Sequence, residues 1–208
     1  MSYPTTGSQT ELNAINQILM SVGQAPVTTL ERTNPDVAIC WDTLMEVSRE
    51  VQSEGWTFNT EYSFPMTPNK DKEILYPENA LQVDIANDPT YPTGRKYDTV
   101  KRGNKLYDRR NHSYTWTETI YCDIKWEYPL EDLPKPIQDY IVCKAATTTS
   151  SRIVGDPNQY QILQQKEAYA RAMAIEYETQ QGDFNYNQNP RYDNYYVTYN
   201  PMFALRRY

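Results

Sequence analysis

The chain has one histidine, three cysteines and no apolar run approaching the roughly 20 residues that span a bilayer. Each shortage removes a class of function. His112 sits in a polar stretch between Asn111 and Ser113, and a lone loop histidine is more often solvated than catalytic. Cys40, Cys122 and Cys143 are odd in number, far apart and without paired histidines, which argues for reduced, mostly buried thiols rather than a disulfide framework or a zinc site. A Gly-x-Ser-x-Gly elbow, a phosphate loop, His-Glu-x-x-His and paired-cysteine motifs are all missing. No catalytic residue, metal or cofactor is therefore expected. The N-terminus lacks the basic-then-apolar order of a signal peptide, so a soluble protein with no membrane association is expected.

Positive charge is also short. Twenty Lys and Arg face 27 Asp and Glu, a net charge of −7. The deficit is steepest in residues 1–60, with two basic against seven acidic residues. Affinity for DNA rests on neutralising phosphates with cations, so such a body does not grip a duplex, although DNA can pass beside it.

Tyrosine is abundant, with nineteen copies among 208 residues, and it suits surfaces that are part buried and part wet. Eight aromatics fall in residues 183–208: Phe184, Tyr186, Tyr192, Tyr195, Tyr196, Tyr199, Phe203 and Tyr208, with Arg206 and Arg207 near the end. They follow neither helical nor strand periodicity. Exposed aromatic groups are costly, so this tail is expected to dock on its own body, a neighbouring copy or another protein; the alternative is a low-complexity end with no fixed structure.

Ahead of the tail the chain alternates in texture. Ser8 and Glu11 form a capping box, and Leu12, Ile15, Leu19 and Val22 recur at helical spacing, predicting a helix over about 9–22 that stops at Gly23. Asn34 followed by Pro35 predicts a second helix over about 35–54, closed by Gly55. Residues 58–128 turn to short β-branched and aromatic runs broken by prolines, with a hairpin turning at Arg102-Gly103-Asn104. Helical pattern resumes after Leu133, and Asp156-Pro157 starts a fourth helix over about 157–180 striped by Ile162, Leu163, Ala170, Met173 and Tyr177. The expected fold is α+β: a four-helix bundle from residues 8–57 and 129–182, an inserted small antiparallel β domain at 58–128, and an extended Tyr/Asn-rich tail at 183–208.

Several of these segments suggest a family. Asn13-Ala14-Ile15-Asn16 running to Gly23-Gln24-Ala25-Pro26-Val27, and Gln52-Ser53-Glu54-Gly55-Trp56-Thr57-Phe58-Asn59, resemble tail tubular protein A, the head-to-tail adaptor or gatekeeper of T7-like podophages. Val100-Lys101-Arg102-Gly103-Asn104 with Tyr107-Asp108-Arg109 looks like that family's β hairpin, and Tyr140-Ile141-Val142 with Lys144-Ala145 like its third helix. The similarity runs in order through residues 8–182, and the tail beyond departs most from the pattern.

The resemblance implies a structural virion protein, made in the bacterial host cytoplasm and carried in the tail. It implies a dodecameric ring under the portal protein, a channel for double-stranded DNA during packaging, retention and ejection, and a lower face receiving the tail nozzle protein (tail tubular protein B) and the tail fibres. A heterologous ring needs two different patches on each copy. Candidates are Trp41, Met45 and Trp56 on the second helix with Tyr160, Tyr169 and Tyr177 on the fourth, each of which can equally be core. Glu46, Glu50 and Glu54 lie on one face of the second helix and can line the channel as a repulsive wall, or simply face solvent. Arg95, Lys96, Lys101, Arg102, Lys105, Arg109 and Arg110 cluster in the β region and can meet an acidic fibre or nozzle subunit, or merely keep a hairpin soluble.

A competing function is glycan binding or glycoside hydrolysis. Hydrolysis needs two carboxylates flanking a sugar, and Glu118, Asp123 and Glu127 lie near Trp116, Tyr121 and Trp126. Strand-borne aromatics beside acids also make an ordinary sheet face. The loop at 84–94, with Asp84, Asp88, Pro89 and Pro92, reads as either a metal loop or a turn.

Overall fold

A computed structural model describes residues 7–86 and 96–182 of the chain. Its order is α1 (Gly7–Ser21), α2 (Pro35–Ser53), β1 (Thr60–Met66), β2 (Ala80–Ile85), β3 (Thr99–Arg102), β4 (Lys105–Asp108), β5 (Ile120–Trp126), α3 (Lys135–Ile153) and α4 (Pro157–Gly182). The fold is α+β. It divides into two compact units: a helical one holding the described residues up to Asn59 with Glu127–Gln181, and a β one from Thr60 to Trp126.

In the helical unit, α1 ends where the chain needs a left-handed residue. Gly23 takes φ +79°, while its N–H donates to the Met20 carbonyl and that of Gln24 to Leu19, the paired bonds of a Schellman cap. The α2 start follows the sequence signal, with Asn34 accepting from the Asp36 amide at 3.0 Å and Pro35 in the first position. Ile15, Ile18 and Leu19 of α1, Cys40, Leu44 and Val51 of α2, and Ile137, Tyr140 and Ile141 of α3 are fully buried together. Three helices thus carry this core. Among the described residues of α4, Ala170 and Ala174 join it. The expected four-way sharing is reduced to a narrow seam, because α4 meets this core along alanines while most of its larger apolar side chains, Leu163 apart, stand to one side.

The resemblance motifs act as fasteners. Asn16 on α1 donates through Nδ2 to the Val27 carbonyl (2.9 Å) and accepts the Val27 amide (2.8 Å), binding the α1–α2 loop back to its helix. Buried Gln52 makes the same two-sided clasp on Tyr128, accepting its amide at 2.8 Å and donating to its carbonyl at 3.0 Å. Asn59 accepts from the Trp56 amide and donates to the Gln52 carbonyl, closing the turn that Gly55 opens at φ +83°. Asn16 is half-buried, whereas Gln52 and Asn59 are fully buried and satisfy backbone groups that would otherwise be orphaned at a cost of about 1–3 kcal/mol each.

In the β unit, a three-stranded antiparallel sheet has the order β1-β5-β2, and β3 and β4 form a separate hairpin turning at Gly103 (φ +62°). Alternation along β5 sends Ile120, Cys122 and Ile124 inward, all fully buried. Trp116, expected on a strand, lies instead in the preceding loop; its amide donates to Lys72 and its indole N–H to Leu106, which leaves it 1% exposed. Register shifts between Glu61 and Phe64, where Ser63 takes φ +52° and its amide donates to the Asp123 carboxylate at 3.0 Å. Asp123 is therefore a bulge anchor.

Candidate functional site

The exposed face of α2 carries its acids at positions 46, 50 and 54, one helical turn apart. Each meets a cation from another helix. Arg152 of α3 holds Glu46 with two bonds of 2.9 and 3.1 Å and also reaches Thr43. Lys144 of α3 lies 3.1 Å from Glu50, and Arg171 of α4 lies 3.6 Å from Glu54. The hydrogen bond and charge of Arg152 hold the Glu46 carboxyl below its usual range. Burial pushes Lys144 down, but its bond to Glu50 and the charges of Tyr140, Glu50 and Glu54 outweigh that and keep it above the usual lysine range. Fully buried Tyr140 ties the row together, since Lys144 and Arg171 both lie 5.8 Å from its ring centre and Arg171 donates to its hydroxyl at 3.2 Å. Each of the three carboxylates thus has a cation from α3 or α4 within 4 Å, which ties α2 to both helices.

Among the ring candidates, Trp41 and Met45 are half-buried at the edge of the core, with Arg32 over the Trp41 ring at 5.5 Å. Trp56 is not on a surface. It is 5% exposed in the core, and its indole N–H donates to the Val51 carbonyl at 2.8 Å. Beside Met45, a mixed-charge cleft of about 660 Å³ contains Arg32, Asp42, Glu46, Arg49 and Glu50.

The opposite chemistry occupies α4. Leu163, Ala170 and Ala174 turn inward, whereas Tyr169 is 71% exposed and Ile162 56%, with Tyr160, Met173 and Ile175 also exposed. Tyr177 is half-buried. Ile162 and Met173, read from spacing as part of the buried stripe, therefore belong to the surface: they lie about 100° around the helix from Leu163 and Ala174, beyond the reach of the thin seam. Together with the first turns of α3 they line an apolar groove of about 760 Å³. Near its C-terminal end, α4 is held by Glu178, whose carboxylate accepts the Thr57 amide at 2.9 Å and the Thr57 hydroxyl at 2.9 Å. That anchor gave no motif in the sequence.

The basic cluster of the β unit is largely engaged. Lys101 sits 4.2 Å from the Tyr76 ring centre and Arg102 3.8 Å from that of Tyr107. Arg109 pairs with Asp98 at 2.7 Å, Lys96 with Glu118 at 2.7 Å and Lys105 with Glu73 at 2.6 Å. The loop presenting Arg109, Arg110 and His112 is organised by Asp108, which is 1% exposed. Burial pushes its carboxyl up, yet bonds from the Asn111 side chain and from the amides of Asp98, Arg110 and Asn111 outweigh this and hold it below the usual range. His112 closes the loop at φ +53°.

The glycan candidates each have another role. Trp116 is buried, Asp123 anchors the bulge, Glu118 pairs with Lys96, and Glu127 belongs to the helical unit, where Arg49 holds it at 3.0 Å. Among the described residues no group of three His, Cys, Asp or Glu is placed to hold a metal ion, and no helix is long and apolar enough to cross a membrane. Burial pushes the Cys40 thiol up to about 11 and Cys122 to about 12, leaving both unreactive at neutral pH. Arg95, the loop positions Asp88, Pro89 and Pro92, and the whole tail from Phe184 to Tyr208 lie outside the described residues.

Against known proteins, the model of a family described as tail tubular protein matches residues 12–184. The chain belongs to the tail tubular protein family. It is 28% identical over 161 residues to tail tubular protein A of Klebsiella phage KP34, an alignment covering 76% of this chain and 82% of the relative. A member of the tail tubular protein family is a structural component of a phage tail, and the clasps of Asn16, Gln52 and Asn59 fall inside the matched span.

Proposed function

We propose that this chain is the head-to-tail adaptor of its phage: a dodecameric ring placed between the portal protein and the nozzle protein, tail tubular protein B, with tail fibres attached below. The family match over residues 12–184 carries the reading. The surfaces support it, because a heterologous ring requires two unlike patches per copy, and the mixed-charge cleft of α2 and the apolar flank of α4 are unlike. On this account Trp41, Met45, Tyr160, Tyr169 and Tyr177 contribute to contacts between copies, while Trp56 supports them from the core. No enzyme activity is needed.

Double-stranded DNA passes through the ring without specific binding. The acid row is occupied in helix locking, so the repulsion that keeps DNA moving comes from the overall charge of −7 on each copy. The exposed Arg109 and Arg110 loop is our candidate contact for an acidic fibre or nozzle subunit. Co-sedimentation with the portal ring of the same phage tests the assignment: a complex near one-to-one stoichiometry is expected, and a chain left entirely in the supernatant refutes it.

A further inference from the structure

Ile162, Lys166, Tyr169 and Met173 of α4 lie within about 60° of one another around the helix and line the groove whose other wall carries Pro136 and Cys143 of α3. All four are exposed, Tyr169 the most. Their spacing is four, three and four residues, the rhythm by which one helix packs along another in a coiled coil. A helix therefore fits this stripe better than a flat or globular surface does.

The same spacing reads identically from either end. Turned about a two-fold axis, an antiparallel second copy of α4 brings its Met173 onto Ile162 and its Tyr169 onto Lys166, and each contact is returned reciprocally, as an isologous interface requires. The layers match in chemistry as well. Ile162 and Met173 fill apolar layers at the two ends, about 17 Å apart along the helix, while the methylene stem of Lys166 covers the Tyr169 ring and its ammonium meets the negative face of that ring. A lone lysine in such a seam costs stability and selects the arrangement. A parallel pair sets Lys166 against Lys166, and an antiparallel slip of one heptad either way strands Ile162 against Gln180 or Tyr169 against Gln159.

We propose that the free chain pairs with a second copy through antiparallel α4 helices, Ile162 meeting Met173 and Lys166 meeting Tyr169 across the axis. Ten residues line the groove, where a standard interface uses about 20–30 a side, so the pair is weak and reversible, with a dissociation constant of the order of 10–100 µM. The pairing does not rest on the adaptor reading. On that reading it also covers the apolar flank of α4 until a ring forms.

Sedimentation velocity of the full chain from about 2 to about 300 µM should show the mass rising from 24.4 kDa to a plateau at twice that value. A mass of one copy throughout, or one climbing past two copies without a plateau, would overturn the proposal. The register is read by disulfide trapping in full chains that carry Cys143→Ser and keep the buried Cys40 and Cys122. Mild oxidation of Ile162→Cys mixed with Met173→Cys should give at least about fivefold more linked dimer than either chain alone, because like positions sit about 17 Å apart along the pair, beyond disulfide reach. Equal yields, or an excess in either single reaction, would overturn it. Tyr169→Lys, at a site exposed enough to leave folding intact, crowds four ammonium groups near the axis and should weaken pairing at least tenfold, whereas Ile175→Lys, exposed and about 120° around the helix, should change it less than twofold. Undiminished pairing of Tyr169→Lys would also overturn the proposal. Portal binding is scored separately: a chain that binds portal and never pairs fails this inference alone, and one that pairs and ignores portal fails the adaptor reading alone.

Discussion

Replacing Trp56 by alanine should destabilise the helical unit by about 3–5 kcal/mol. The indole is 5% exposed and lies among α1, α2 and α3 residues. Burying a ring of roughly 200 Å² at about 25 cal/mol per Å² gives an upper figure near 5 kcal/mol. The lost indole bond adds little, since the Val51 carbonyl keeps the Glu54 amide at 3.2 Å, and a net hydrogen bond is worth about 0.5–1.5 kcal/mol. Trp56→Phe, which keeps most of the volume, should therefore cost only about 1–2 kcal/mol. Urea unfolding followed by circular dichroism at 222 nm reads both. With a slope of about 2 kcal/mol per M, the alanine variant should shift its midpoint by about 2 M and the phenylalanine variant by under 1 M. Equal shifts, or an alanine shift under about 0.5 M, would refute the placement of Trp56 in the core.

Other expectations follow from the same geometry. Glu178→Ala should raise amide exchange in the last turns of α4 at least tenfold, because its carboxylate bonds to Thr57 supplement a seam of two alanines; exchange unchanged from wild type would show the anchor idle. Asp108 has a folded pKa held below the usual 3.8, so its stabilising contribution is complete above that value and is lost as pH falls through the lower folded value. Near-ultraviolet dichroism of the β unit should accordingly show an acid loss of stability that Asp108→Asn abolishes, and an identical acid profile in both proteins would contradict it. Removing residues 183–208 should leave the helical signal intact while weakening partner binding; unfolding of the body would make the tail part of its core.

Much of the architecture was legible because its signals are local. Asn34-Pro35 and Gly23 mark helix ends through backbone needs that no tertiary contact overrides, and Gly103 marks its hairpin in the same way. What was not legible depends on neighbours. Ile162 and Leu163 are adjacent apolar residues, and only the narrow approach of α4 decides that one is buried and the other exposed. The Glu46, Glu50 and Glu54 row was visible at its spacing, but the cations that meet it arrive from 94 to 117 positions away, from α3 and α4. Asn16, Gln52 and Asn59 stand in the stretches that carry the family resemblance, but their job as clasps was hidden, since an amide clasp looks like any polar residue until its carbonyl partner is known. Trp116 and Glu127 show the same limit, as residues close in sequence fall to different jobs in different units.

The adaptor account is tested most directly by imaging the particle formed when the purified chain is mixed with the portal of its phage. It predicts a ring of twelve copies capping one end of the portal, with an open central channel. A portal left bare, or decorated by scattered single copies with no closed ring, would contradict it.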